Sequence, residues 1–315
     1  MTEFHLSVDS KHYLFSVGIA FFVTFLWSTS FVIIKIGLRT TTPMLFSGFR
    51  YLLASVILLF FVFLNDSNKN ELTSLKKGEF GLLFVYGIVF ITMTQGFQYL
   101  SLNLLPAITV SQLLTITPVI VLLMSNFILK EIPSRWDILL LTTTFFGVIM
   151  FYYPFQIPLS ELLGLFFLFI CLLSNASATV LGRHTNSTLH KSALTITAIS
   201  MFIGGIILTM AGLLFEKLKF SEGEIFYVII LAIFNTALAF TLWNKSMQKL
   251  RALDTSLINN TMLPQITILS IFFLQESINL LETISLVIIL VSVISIQIHS
   301  IQKQNTKNKI TTPIS

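Results

Sequence analysis

Three amide side chains and a proline lie close together in one apolar stretch, residues 257–277 (LINNTMLPQITILSIFFLQES). Asn259 and Asn260 are adjacent, and Gln265 directly follows Pro264. A stretch of this length can cross the hydrocarbon core of a bilayer, where an unpaired amide is costly and a proline removes a backbone hydrogen bond. The pattern predicts a weakened helix whose amides face protein or a wet cavity. Each amide could contact a bound solute or instead hold helices together.

Other apolar runs carry polar or aromatic side chains at spacings that place them on one helix face. Gln95 and Gln98 are three residues apart, as are Gln112 and Thr115. An aromatic pair four residues apart in the first run could stack on an apolar or aromatic part of a ligand. The full set of candidate substrate contacts is Trp27, Phe31, Arg50, Gln95, Gln98, Gln112, Thr115, Asn175, Asn235, Asn259, Asn260 and Gln265.

Arg50 is the sharpest of these signals, because it lies roughly 10 Å along a helix that starts near Pro43. A cation at that depth could bind a carboxylate or phosphate of a substrate, or it could bond backbone carbonyls and hold the fold. No Asp or Glu lies deep within an apolar run. The substrate expected from this pattern is therefore neutral, zwitterionic or anionic rather than a cationic drug.

The composition shows which elements carry these residues. The chain has 315 residues, 55% hydrophobic and 10% charged, whereas soluble domains are about a quarter charged. The charge clusters between apolar runs of membrane-spanning length, so we predict an all-α polytopic membrane protein. The ten predicted spans are 13–34, 43–64, 78–101, 106–129, 135–153, 158–182, 191–214, 224–247, 254–275 and 280–299.

The lysines and arginines predict the orientation. With the N-terminus in the cytoplasm, fourteen of the nineteen fall on the cytoplasmic side and four outside, which agrees with the positive-inside rule. Both tails, 1–12 and 300–315, are then cytoplasmic. The net charge of +5 needs no nucleic-acid partner, since membrane orientation accounts for it.

The two halves of the chain are related. An offset of 146 residues pairs Pro118 with Pro264, and after one deletion an offset of 145 pairs Glu131 with Glu276. The two prolines are candidate helix-break or gating positions. Equivalent loops of the two halves also exchange basic charge, as expected when a five-span unit is repeated upside down. We predict two inverted repeats, 13–153 and 158–299, with a transport site between them near the membrane midplane.

Enzyme chemistry is not predicted. The sequence has no histidine–acid pair at membrane depth, no cluster of metal ligands and no glycine-rich phosphate loop. No cofactor or metal is therefore expected, and the single cysteine, Cys171, is expected to pack as a small apolar residue. A channel, or a membrane protein with a structural or interaction role, remains the alternative to a carrier.

The order of motifs across nearly the whole chain resembles the drug/metabolite transporter superfamily, in particular its EamA-type ten-helix permeases. The matching stretches include FLWSTSFVIIKIGL, TPMLFSGFRYLLAS, QYLSLNLLPAITVSQLLTITPVIVLLMSNFILKEIPSRW and LPQITILSIFFLQESI. The predicted sixth span has no counterpart to Trp27 and Lys35 of the first. The resemblance implies a bacterial inner-membrane permease, monomeric or homodimeric, that moves a small metabolite such as an amino acid by alternating access, with export favoured over uptake.

Overall fold

Every regular element that the structure describes is helical. The structure is a computed structural model that describes residues 8–128, 135–152, 158–217, 222–292 and 295. Eight helical segments within these ranges are long and apolar enough to cross a membrane. The prediction of an all-α polytopic membrane protein is thus confirmed. The described helices, in chain order, are α1 Val8–Gly37, α2 Pro43–Leu64, α3 Asp66–Thr73, α4 Lys77–Gly87, a π-helix Ile88–Gln95, α5 Gly96–Leu104, α6 Ala107–Leu114, α7 Thr117–Ile128, α8 Arg135–Tyr152, a 3-10 turn Leu159–Glu161, α9 Leu162–Thr188, α10 Ala193–Phe215, α11 Glu222–Ala232, a π-helix Ile233–Leu238, α12 Ala239–Met247, α13 Ala252–Asn259, α14 Met262–Leu274 and α15 Leu280–Ser292.

We number ten helical segments as spans 1–10 in chain order: the eight that are long and apolar enough to cross a membrane, together with α8 and α15, which lie at the places of the fifth and tenth predicted spans. Spans 1, 2, 5, 6, 7 and 10 are α1, α2, α8, α9, α10 and α15, whereas spans 3, 4, 8 and 9 are each built from two helices. Span 3 joins α4 to α5, and span 8 joins α11 to α12, in both cases through a π-helix. Span 4 comprises α6 and α7, and span 9 comprises α13 and α14. The short polar helix α3 lies between spans 2 and 3.

Spans 4 and 9 are both interrupted, at matching positions. Span 4 breaks at 115–116 and span 9 at 260–261, so each proline stands in the first turn of the helix after the break. A proline is tolerated there because the first N–H groups of a helix have no partner within it. The Asn260 Nδ2 atom donates to the Thr115 carbonyl at 2.8 Å, so the two breaks meet. Thr115 and Asn260 are 145 positions apart, one fewer than the offset that pairs the two prolines.

Spans 3 and 8 each contain a π-helix, and the first residues of the two π-helices, Ile88 and Ile233, are 145 positions apart. In each π-helix a threonine hydroxyl donates to the carbonyl five residues earlier, from Thr94 to Val89 and from Thr236 to Leu231. A π-helix widens the turn and shifts the faces that follow it, and such segments are frequent at functional sites.

Basic side chains cap the C-terminal ends of spans 3 and 8. Lys35, near the end of span 1, donates to the Leu102 and Leu105 carbonyls at 2.6 Å each. Arg183, near the end of span 6, donates to the Met247 carbonyl at 2.8 Å. Arg183 therefore fills in the second half the place that Lys35 has in the first, although the sequence offset does not align them. We call the two sides of the bundle the Lys35 face and the Arg183 face.

Spans 2 and 7 pack so closely that their backbones touch. A Cβ atom on Gly48 would lie 2.8 Å from the Thr209 Cα atom. One on Gly205 would lie 3.1 Å from the Leu52 backbone nitrogen. Glycine is needed at such approaches because any side chain would push the helices apart. This seam joins the first half of the chain to the second along the length of both helices.

The seam predicts opposite effects for two glycine substitutions. We expect Gly48→Ala to lower stability by about 1–3 kcal/mol, because the added methyl group meets backbone that cannot move aside. Gly18→Ala is the matched control, because a Cβ atom on Gly18 would meet nothing within 4 Å and alanine is the better helix former. Thermal unfolding in detergent measures both variants. Equal midpoints for the two variants would contradict the tight seam.

Candidate functional site

A central cavity lies where the two halves meet. Its walls come from spans 1, 2, 3, 4, 6, 8 and 9, and it encloses about 830 Å³ of atom-free space, counting its opening. Nine of the twelve predicted contacts line it: Trp27, Phe31, Arg50, Gln95, Gln98, Thr115, Asn175, Asn259 and Asn260. The broken centres of spans 4 and 9 form one wall. This is the position that inverted-repeat carriers use for substrate.

Arg50 is 2% exposed and is held by neutral groups from both halves. Its Nε atom donates to the Thr236 hydroxyl at 2.6 Å, and one Nη donates to the Tyr99 hydroxyl at 2.9 Å. The other Nη donates to the Asn235 carbonyl at 3.1 Å. The guanidinium carries five N–H groups, and no carboxylate among the described residues pairs with it. A buried cation with spare donors on a cavity wall suits an anionic group of a ligand.

An aromatic cluster forms another part of the wall. The Trp27 ring lies 5.0 Å from the Phe240 ring and 4.9 Å from the Trp243 ring, measured between centroids. Phe90 stands 5.1 Å from Phe240 in turn, and Tyr51 stands 5.7 Å from it. Edge-to-face and tilted pairs of this kind form rigid apolar surfaces. The cavity can therefore enclose an apolar or aromatic moiety beside the guanidinium.

Two polar atoms of lining residues are buried without a partner in the described part of the chain, the Nε1 atom of Trp27 and the Oδ1 atom of Asn259. One is a donor and the other an acceptor. Buried polar atoms are nearly always paired, so unpaired ones in a cavity wall are places where a ligand or water can bond. Together with Arg50 they give the cavity donors and an acceptor but no acidic side chain among its lining residues.

Three predicted contacts are absent from the cavity lining. The Asn235 Nδ2 atom donates to the Leu26 carbonyl and to the Thr29 hydroxyl, which joins span 8 to span 1. Gln265 accepts a hydrogen bond from the Ser28 hydroxyl at 3.0 Å and joins span 9 to span 1. In these two amides the structure favours the helix-holding interpretation. The third, Gln112, is fully buried, and neither amide atom has a partner among the described residues.

Several lining residues were missed by the sequence analysis. The aromatic ones, Phe90, Phe240 and Trp243, were hidden among 31 phenylalanines and an apolar background. The available signal was a tyrosine or tryptophan within a span, because the O–H or N–H group of its ring needs a hydrogen-bond partner when it is buried. Tyr51, which donates to Gln95 at 2.7 Å, fits that signal.

Asp254 was also missed. It begins span 9 at the Arg183 face and is fully buried. Arg251 pairs with both of its oxygens, at 2.9 and 2.7 Å, and the Tyr13 hydroxyl donates to it at 3.1 Å. The sequence predicts no acid deep within a span, and Asp254 shows that an acid at the end of a span can be fully buried. It ties span 9 to span 1 and lies outside the cavity lining.

The described residues contain no group of three histidine, cysteine or acidic side chains that could hold a metal ion. The Cys171 thiol is buried and donates to the Thr94 carbonyl at 3.3 Å. The chemistry available at the cavity is thus hydrogen bonding, stacking and charge attraction, which suits reversible binding.

A polytopic helical bundle with a polar cavity between two related halves is the arrangement found in inverted-repeat membrane transporters. The model of the EamA-like transporter family matches the chain twice, over residues 14–153 and 162–297. The chain belongs to this family. Five spans lie in each matched range, and because five is odd the second copy is inverted. The prediction of ten helices in two inverted five-helix repeats is confirmed.

Two relatives carry transporter names. The uncharacterized transporter YoaV of Bacillus subtilis (strain 168) is 22% identical over 80% of this chain and 84% of its own length. A protein of Buchnera aphidicola subsp. Schizaphis graminum (strain Sg), named uncharacterized transporter, is 26% identical over 65% of this chain and 67% of its own. A solved crystal structure superposes with a TM-score of 0.71 over 88% of this chain and 94% of that chain, at 15% identity. The last comparison shows the shared fold.

The cavity predicts a pattern of thiol reactivity. In a Cys171→Ser background, single cysteines that replace Asn175 or Asn259 should react with a water-soluble maleimide, because both side chains line the cavity and are partly exposed. A cysteine that replaces Gln112 is the control and should react far more slowly, because that position is fully buried. Labelling rates are compared with the total labelling after denaturation. Equal rates at all three positions would contradict the cavity described here.

Proposed function

We propose that the protein is a carrier that moves a small neutral, zwitterionic or anionic metabolite, such as an amino acid, by alternating access between its two inverted halves. The observation that supports this most directly is the central cavity at the meeting point of the breaks in spans 4 and 9. Discontinuous helices that cross near the midplane serve carriers as a substrate site and as a point of bending. Pro118 and Pro264 are then the positions that let each span bend.

Arg50 is the proposed contact for an anionic group of the substrate. Its three protein partners are neutral, so its charge has no counter-ion among the described residues. A carboxylate of a substrate in the cavity would supply the missing negative charge, and it could also accept a hydrogen bond from the Trp27 Nε1 atom. The Asn259 Oδ1 atom offers an acceptor for an ammonium group, and the cluster around Phe240 offers a surface for an apolar side chain. A zwitterion with an apolar part uses all of these groups.

The direction and orientation are proposed from charge and from the family. The Arg183 face carries most of the lysines and arginines, so we propose that it is cytoplasmic, as are both termini. We propose a bacterial inner membrane and net export. No enzymatic step is proposed, because the cavity groups provide binding and no nucleophile–base pair.

The first experiment is thermal unfolding of the purified protein with a panel of amino acids, nucleotides, vitamins, organic acids and cationic dyes. A ligand present at 100 times its dissociation constant should stabilise the protein by about 2.7 kcal/mol. We expect zwitterionic amino acids with large apolar side chains to raise the midpoint, and their amides, which lack the carboxylate, to have little effect. Stabilisation by the cationic dyes alone would contradict the proposal. If no ligand raised the thermal midpoint, conductance recordings would be the next test, because they detect a channel.

Substitution of Arg50 then tests the anion contact. We expect Arg50→Lys to keep part of the stabilisation by the best ligand, because a point charge remains without the bidentate fork. Arg50→Gln should lose the stabilisation while the protein still folds, because amide groups can still bond the Asn235 carbonyl. Thermal midpoints without ligand serve as the control. If both variants lose folded protein to the same extent, Arg50 holds the fold and the anion contact is contradicted.

A further inference from the structure

Glu276 joins the two halves at the Lys35 face. It follows span 9, where Gln275 turns the chain in a left-handed conformation with φ 58°. Its two carboxylate oxygens accept hydrogen bonds from the backbone N–H groups of Ala107, at 2.8 Å, and Ile108, at 3.0 Å. These are the first two residues of α6, whose N–H groups have no partner within the helix and attract negative charge. A side chain of the second half therefore holds the start of span 4 in the first half.

The corner between spans 3 and 4 is held by two charges of opposite sign. Lys35 caps the carbonyls of Leu102 and Leu105 at the end of span 3. Glu276 caps the N–H groups at the start of span 4, two residues farther along the chain. Lys35, Arg39 and Glu276 line one small surface cavity beside this corner. Lys35 belongs to the same half as the corner and can move with it, whereas Glu276 belongs to the other half.

Glu216 makes a cap of the same kind at the same face. Its two oxygens accept from the N–H groups of Met44 and Leu45 at the start of span 2, both at 2.9 Å. This contact also joins the second half to the first. It lies at the end of the seam between spans 2 and 7, where Gly212 brings a Cβ position within 3.0 Å of the Leu45 nitrogen. That seam is closed by backbone contact, so the Glu216 cap cannot open without separating two packed helices.

Spans 4 and 9 meet differently. Both are broken, and they meet at the breaks through the Asn260 side chain and the Thr115 carbonyl. The central cavity runs along this seam, with Ser111 on one side and Ile266 on the other. To open the cavity at the Lys35 face, the start of span 4 must move from the end of span 9. That motion breaks both hydrogen bonds of Glu276 and leaves those of Glu216 intact.

We propose that Glu276 is a latch that keeps the carrier closed at the Lys35 face and releases the corner between spans 3 and 4 when the cavity opens there. The proposal rests on the carrier function proposed above, since a latch has a role only if the seam opens. Substrate binding and latch release act on the same two spans, because the cavity and the Glu276 contacts lie along one seam. Glu216 has the same chemistry but serves as a fixed cap.

The test is a distance measurement between spin labels in lipid nanodiscs. In a Cys171→Ser background, cysteines replace the exposed Asn103, on the corner, and the exposed Ser277, beside the latch. We expect Glu276→Gln to raise the ratio of long-distance to short-distance species roughly tenfold, which corresponds to about 1.4 kcal/mol, because the neutral amide accepts from a helix start more weakly than a carboxylate. A distance distribution unchanged from the parent would overturn the proposal.

Two controls separate a latch from an ordinary helix cap. Glu216→Gln, with labels that replace the exposed Thr40 and Lys217, should lower the thermal midpoint yet leave its distance distribution as in the parent. Glu276→Asp keeps the charge but is one methylene shorter, so it should give an intermediate shift and serves if Glu276→Gln does not fold. If the Glu216 and Glu276 variants lower the midpoint equally and neither changes a distance, Glu276 is a fixed cap. The distance measurement needs no substrate. If the seam opens in a protein that transports nothing, the carrier function is contradicted, whereas the role of Glu276 in closing the seam is still supported.

Discussion

The burial of Arg50 without a carboxylate partner among the described residues is the constraint on which the centre of this molecule depends. A cation taken out of water is stable only if hydrogen bonds replace its hydration, and here they come from Tyr99 in span 3 and from Thr236 and Asn235 in span 8. Two of these partners lie in a π-helix, whose wider turn presents both groups towards span 2. The guanidinium thereby fixes the relative positions of both halves beside the cavity.

Two of the seams between the halves differ in character. Spans 2 and 7 touch through glycines, and backbone contact of that kind leaves no space for sliding or tilting. Spans 4 and 9 meet through side chains at their breaks, where the Asn260 side chain donates one hydrogen bond to the Thr115 carbonyl. Bending at a break disturbs few bonds, whereas separation of a glycine seam disturbs many. The seam of spans 2 and 7 is therefore the more tightly packed of the two, and the seam of spans 4 and 9 is held by fewer contacts at its breaks.

The sequence predicted most of the polar cavity wall, because an amide in an apolar run is conspicuous and must face inward. It could not assign partners: Asn175 and Asn235 read alike in sequence, yet the first lines the cavity and the second bonds span 1. The aromatic wall was hidden because Phe240 has the same type as residues that face lipid. The equivalence of the two helix-capping cations was hidden for another reason. Arg183 and Lys35 occupy equivalent places in the structure, but the residue offset of the repeat does not align them.

The inverted repeat gives the protein a symmetric frame around an asymmetric site. The 146-residue offset that pairs Ser28 with Ser174 also pairs Arg50 with Ile196, a fully buried apolar residue. Among the described residues that line the cavity, only the first half contributes a guanidinium, whereas both halves contribute to the aromatic cluster: Trp27, Tyr51 and Phe90 come from the first half and Phe240 and Trp243 from the second. The zwitterion proposed as substrate would have one preferred orientation, with its carboxylate at Arg50 and its apolar part against the rings around Phe240. In the carrier proposed here, the symmetric frame would let both faces open by equivalent bending, and the asymmetric centre would recognise one orientation of the substrate.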